Sequence, residues 1–137
     1  SIMAAHGVPY VAQATVGNWR DLVNKAEKAI AVDGPAFLNI MAPCPRGWRL
    51  GSNMTAEICR LAVNSKFWPL FEVENGKWKL TPVRDKNLIP VTEFLKPQGR
   101  FKHLFKPGNE HILEEIQQDV DNYWAYLEGR VEGSKDL

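Results

Sequence analysis

Two runs, Tyr10-Val11-Ala12-Gln13-Ala14-Thr15-Val16 and Pro35-Ala36-Phe37-Leu38-Asn39-Ile40-Met41, decide how this chain folds. Both are short, apolar and rich in β-forming residues, the pattern of buried parallel strands rather than half-exposed ones. Gly17 ends the first run. Asn18 then stands at a cap position with Asp21 three residues on, and Trp19, Leu22, Val23, Ala26 and Ile30 recur on one helical face as far as Val32. Asp33-Gly34-Pro35 stops that helix. Strand, helix and strand within about 32 residues make a βαβ crossover, right-handed and with parallel strands, so the fold class is α/β with part of a parallel sheet.

Directly after the second run comes Ala42-Pro43-Cys44-Pro45-Arg46-Gly47-Trp48. Two prolines bracket one cysteine and forbid ladder hydrogen bonds on either side, so the thiol is presented from a stiff loop. In open α/β sheets the carboxyl ends of strands are where ligands bind. Residue chemistry leaves Cys44 three roles: an inert loop or core cysteine, a thiolate nucleophile, or a metal or cluster ligand. A nucleophile would want a resolving thiol, and Cys59 is poorly suited to that.

Outward from this centre, Ser1 to His6 reads as the last turns of a helix stopped by Gly7 and Val8-Pro9, with no helix start in front, so the chain reads as beginning in mid-fold. Thr55 caps a short helix with Ile58, Leu61 and Ala62 inward and Cys59 as a small buried hydrophobe. Trp68 to Val73 and Lys77 to Leu80 flank Glu74-Asn75-Gly76, a β-hairpin with a type I′ turn, expected to stand outside the parallel sheet. Thr81 to Pro107 is punctuated by prolines and allows only short helical turns, as at Thr92 to Lys96. A final helix starts near Asn109, presents Ile112, Leu113, Ile116, Val120, Tyr123 or Trp124, and Leu127, and ends at Gly129, with Arg130 to Leu137 a frayed polar tail. The chain thus divides into 1–65, part of an α/β domain, and 66–137, a hairpin, an extended segment and a helix that pack on it.

Seventeen basic against sixteen acidic residues leave a net charge of +1, which provides no overall field for nucleic acid or a membrane surface. No run approaches the roughly 20 apolar residues of a membrane span. With only two cysteines the chain suits a reducing cytoplasm, and 45% apolar content with five tryptophans fills one modest core. His6, His103 and His111 share no ligand spacing. Arg100-Phe101-Lys102-His103-Leu104-Phe105-Lys106 interleaves cations and aromatics. It is read as an amphipathic turn that buries Phe101, Leu104 and Phe105 and wets its charges, since no nucleic-acid or phosphate-loop motif accompanies it.

Several motifs occur in one order along the chain: His6-Gly7-Val8-Pro9-Tyr10-Val11-Ala12-Gln13-Ala14, Gly34-Pro35-Ala36-Phe37, Ala42 to Trp48, Trp68-Pro69-Leu70-Phe71-Glu72, Pro90-Val91-Thr92-Glu93-Phe94-Leu95 and Gln98-Gly99-Arg100-Phe101. Together they resemble the C-terminal part of the beta subunit of pyruvate synthase, the pyruvate:ferredoxin oxidoreductase family, over nearly the whole chain. The resemblance implies a partial thiamine-diphosphate-binding fold. It implies an enzyme that converts pyruvate and CoA to acetyl-CoA and carbon dioxide while reducing ferredoxin, with thiamine diphosphate, magnesium and a 4Fe-4S cluster. It implies that Cys44 is the last of the four thiolates of that cluster, beside the other pyruvate synthase subunits. The Gly-Asp-Gly motif and Asn for magnesium and diphosphate, and the other three cysteines, are not in this sequence. The expectation is therefore a C-terminal fragment, inactive alone, with no cofactor bound, that self-associates through exposed apolar surface. A branched-chain 2-oxoacid oxidoreductase and a free-standing α/β interaction module are the alternatives.

Overall fold

A computed structural model describes residues 2–137. After a short helix α1 (Ile2–Ala5; Ser1 lies outside the described residues), β1 (Tyr10–Thr15) leads through a 3-10 turn into α2 (Trp19–Ala31) and β2 (Ala36–Met41). β1 and β2 pair in parallel, Tyr10 opposite Ala36 through Thr15 opposite Met41, as expected of the crossover. Then follow the one-turn helix α3 (Pro45–Trp48), α4 (Thr55–Asn64), the hairpin β3 (Phe71–Glu74) and β4 (Lys77–Leu80), α5 (Val91–Leu95), a 3-10 segment Gly99–Phe105, and α6 (Glu110–Glu132). No helix among the described residues is long and apolar enough to cross a membrane.

The hairpin does not stand apart. β3 joins the free edge of β1 antiparallel, Tyr10 opposite Glu74 and Gln13 opposite Phe71, giving one four-stranded sheet in the order β2-β1-β3-β4. β1 is buried at every position, so its second row of backbone groups requires a partner. Side chains reinforce the approach: Trp68 Nε1 donates to Ala14 O at 2.9 Å, and Gln13 Nε2 to Pro69 O at 2.8 Å. The turn itself is as expected, with Asn75 and Gly76 both at positive φ, 48° and 85°.

α2 packs on the sheet by a different stripe from the one predicted. Trp19, Val23 and Ile30 are exposed by 61%, 45% and 86%, whereas Lys25 is 3% exposed. Two stripes overlap on this helix. The one that faces the sheet is fixed by Lys25 Nζ, which donates to Gln13 O at 2.9 Å and to Asp21 Oδ2 at 2.8 Å. Asn18 supplies no cap bond, and its Oδ1 is buried without a partner among the described residues. β2, predicted to be buried, is the sheet edge and only Met41 in it is buried. Phe37 and Ile40 point to opposite faces and are 38% and 41% exposed.

The core lies in two clusters. One gathers Met41, Ile58, Cys59, Phe94, Leu95 and Val120 between β2's end, α4, α5 and α6. The other holds Val11, Phe71, Val73, Trp78 and Leu127 where α6 crosses the hairpin. α6 presents Trp124 rather than Tyr123 inward and runs through Gly129 to Glu132. The tail beyond it is held, not frayed: Ser134 is buried and its Oγ accepts from Trp78 N at 2.9 Å.

Candidate functional site

Met41, the last residue of β2, is buried, and its carbonyl accepts from Thr15 Oγ1 at 3.1 Å, which ties the two strand ends together. Pro43 is buried and anchors the loop, while Cys44 is exposed. Pro45 occupies the first helical position of α3, where its missing N–H costs nothing. Cys44 therefore caps α3: Gly47 N donates to its Sγ at 3.4 Å and Trp48 N to its carbonyl at 2.9 Å. Leu50 N closes the turn on Pro45 O at 2.8 Å, with Arg49 left-handed at φ 55°. A thiolate at this position would receive an amide hydrogen bond, and the fixed cap holds the sulfur in one orientation.

A second segment clasps this loop from outside. Gly99 N donates to Arg49 O at 3.3 Å. A Cβ on Gly99 would lie 2.7 Å from Arg49 Cβ and 3.2 Å from its carbonyl oxygen, so the approach needs glycine. Next to it the Arg100 guanidinium lies 3.9 Å over Trp48 and 4.6 Å from Phe101. Burial lowers the Arg100 pKa. Of the predicted amphipathic turn, Leu104 is buried and Phe101 half-buried, but Phe105 is 37% exposed. The stacking of Arg100 on Trp48 across two segments was not anticipated. Its only sequence signal is the glycine that lets the segments meet.

Cys59 is fully buried in the α4 core, as a small hydrophobe should be. Among the described residues no three His, Cys, Asp or Glu side chains gather into a metal-holding group. An iron–sulfur cubane takes four thiolates, and this chain offers one on an accessible loop. The chain's own residues hence fit one corner of such a group and not the whole.

A polar cluster under α2 escaped the sequence reading. Tyr10 Oη donates to Glu72 Oε2 at 2.8 Å, and Lys28 Nζ reaches Glu72 Oε1 at 2.9 Å, with Lys79 at 3.4 Å. Burial alone would raise the Glu72 pKa, but the hydrogen bonds from Lys28 and Tyr10 outweigh it and leave the carboxyl below its ordinary value. Burial, then the bond to Glu72, pushes the Tyr10 phenol well above its usual range. The Lys25 ammonium is pushed down by burial against the pull of Asp21.

No family model matches the chain. It is 43% identical over 136 residues, 98% of its own length and 42% of the relative's, to pyruvate synthase subunit PorB of Thermotoga maritima. Against PorB of Methanosarcina barkeri it is 46% identical over 123 residues, 88% of this chain and 41% of that one. Ketoisovalerate oxidoreductase subunit VorB of Pyrococcus abyssi is 44% identical over 127 residues, 92% of this chain and 40% of that one. By sequence the chain is a relative of the PorB and VorB subunits and spans about two fifths of the length of those curated relatives.

Proposed function

We propose that this chain is the C-terminal portion of the beta subunit of a pyruvate synthase, and that Cys44 is one thiolate ligand of the subunit's 4Fe-4S cluster. The complete enzyme oxidatively decarboxylates pyruvate with CoA to acetyl-CoA and carbon dioxide and passes the electrons to ferredoxin in the cytoplasm, using thiamine diphosphate and magnesium. The cluster supplies one-electron acceptance when bound. What this chain contributes is placement: a sulfur set at the carboxyl end of β2, oriented by the α3 cap and clasped by Gly99. The single observation that carries the reading is the likeness to PorB over 98% of the chain. The other cluster thiolates, the magnesium and diphosphate ligands and the residues that select the 2-oxoacid belong to the rest of the subunit and its partner subunits. VorB relatives at 42–44% identity support one second reading, the branched-chain 2-oxoacid reaction on the same scaffold.

The test is to supply the rest of the beta subunit and its partner subunits, reconstitute iron and sulfide anaerobically, and compare Cys44→Ala with the parent. Cluster absorbance near the charge-transfer bands should be lost with Cys44→Ala, and pyruvate-dependent ferredoxin reduction with it. Full absorbance in the variant would refute the ligand role. Faster turnover of ketoisovalerate than of pyruvate by the parent complex would select the second reading.

A further inference from the structure

Gln98 is a polar side chain with no exposed surface. Burying an amide is costly unless its donors and acceptor find partners, and Gln98 divides its two ends between two neighbours. Its Nε2 donates to Phe94 O at 2.6 Å, and Phe94 belongs to the same core cluster as Met41, the strand end that carries the Cys44 loop. Its Oε1 accepts from Arg100 Nε at 2.9 Å.

Arg100 enters no ion pair among the described residues, so the buried amide and two aromatic rings settle where it lies. The guanidinium is 3.9 Å from the ring centre of Trp48 and 4.6 Å from that of Phe101. Trp48 in turn closes α3 by donating its N–H to Cys44 O, and one residue earlier Gly47 N donates to Cys44 Sγ. A line of contacts thus runs from the core through Gln98, Arg100 and Trp48 to the amide that faces the sulfur. The last link, 3.4 Å to Sγ, is the one that a shift of the α3 turn would lengthen.

We propose that Gln98 is a positioning residue for the Cys44 thiolate: through Arg100 and Trp48 it holds the Gly47 amide on Sγ, and by that hydrogen bond it raises the reduction potential of the cluster. The inference rests on the reading of Cys44 as a cluster ligand. Hydrogen bonds to the ligand sulfurs help to set the potential of an iron–sulfur cluster. The reduced state carries one more negative charge and gains most from a donor on the sulfur, so loss of the donor lowers the potential. A glutamine suits the post, because it anchors the guanidinium without cancelling its charge.

The experiment has two arms. In the first, the 137-residue chain is alkylated without iron, and labelling at each cysteine is followed by mass spectrometry. Cys59 is fully buried and reports global opening, while Cys44 is exposed and reports the loop. Gln98→Met, similar in size but unable to make either hydrogen bond, should label Cys44 about fivefold faster, the factor for one ordinary hydrogen bond, with Cys59 still protected. Trp48→Leu should act likewise, and Trp48→Phe, which keeps an aromatic plane, should stay near the parent. The double variant Gln98→Met/Trp48→Leu should be no faster than either single one, because both act along one line. In the second arm the complete complex is reconstituted with iron and sulfide, and Gln98→Met should show a lower midpoint potential at the parent's cluster content. Additive single effects, Cys59 labelling that rises in step with Cys44, or a potential equal to the parent's would each overturn the proposal. A cluster that survives Cys44→Ala would instead overturn the ligand reading and the potential with it, and the alkylation arm would still decide whether Gln98 holds the thiol.

Discussion

Gly99→Ala should loosen the clasp on the Cys44 loop, and the structure sets the size of the effect. The added Cβ would sit 2.7 Å from Arg49 Cβ and 3.2 Å from Arg49 O, so one of the two segments must give way. Overpacking of this kind costs about 1–3 kcal/mol. The hydrogen bond from Gly99 N to Arg49 O, already 3.3 Å long, is worth about 0.5 kcal/mol. Moving Arg100 off Trp48 forfeits about 0.5–1 kcal/mol at a half-exposed site. Against these, alanine stiffens the unfolded chain and returns about 0.4–1 kcal/mol. The net loss is about 2 kcal/mol, which with a urea m-value of about 2 kcal/mol/M lowers the unfolding midpoint by about 1 M. A local assay accompanies the global one. Cys59 is fully buried, so alkylation of the native chain reports Cys44 alone, and its rate should rise when the clasp opens. An unchanged midpoint together with an unchanged alkylation rate would refute the reasoning.

Two other outcomes follow from the fold. Ile40 and Phe37 leave apolar surface partly exposed on each face of the edge strand β2, at 41% and 38%, so the chain by itself should self-associate at high concentration, and Ile40→Lys should weaken that association about tenfold or more in sedimentation experiments; a parent chain that stays monomeric would count against it. Because the Glu72 carboxyl lies below its ordinary value in the folded state, its contribution is full above the unfolded carboxylate pKa of about 4.3 and is lost as pH falls through the folded value. Thermal melts of parent and Glu72→Gln should therefore converge on acidification, and parallel curves down to pH ~3 would refute the linkage.

What was legible in the sequence was local. The parallel register of Tyr10 to Thr15 against Ala36 to Met41 follows from two apolar runs and the helix between them. Asn75-Gly76 announces its own turn, and Pro43-Cys44-Pro45 announces a rigid loop. The remainder depends on partners far along the chain. β3 completes the free edge of β1, an approach reinforced by Trp68 bonding Ala14 O and Gln13 bonding Pro69 O, and no periodicity encodes that. The sheet-facing stripe of α2 was decided by Lys25, a residue that composition assigns to solvent, once Gln13 O and Asp21 gave it two acceptors. The apolar pattern of β2 describes a strand fully covered on both faces, whereas here the cover is partial and only Met41 is buried.

The contrast between β2 and the loop it carries bears on how the site would be completed. β2 has one strand neighbour, β1, and is only partly covered, with Met41 alone buried and Phe37 and Ile40 partly exposed on opposite faces. The Cys44 loop has no such gap. Its proline anchor, its capped turn, the left-handed Arg49 and the Gly99 clasp all come from residues 43–50 and 99–101 of the same chain. A ligand whose geometry is set before its neighbours arrive keeps the ordering cost out of the assembly step. If Cys44 ligates a cluster as proposed, its loop is a finished corner before assembly, whereas the edge strand β2 beneath it is only partly covered by the chain's own residues. Assembly would then be driven by burial of Phe37, Ile40, Trp19 and Val23, with the thiol positioned at the margin of that contact rather than used to hold it together.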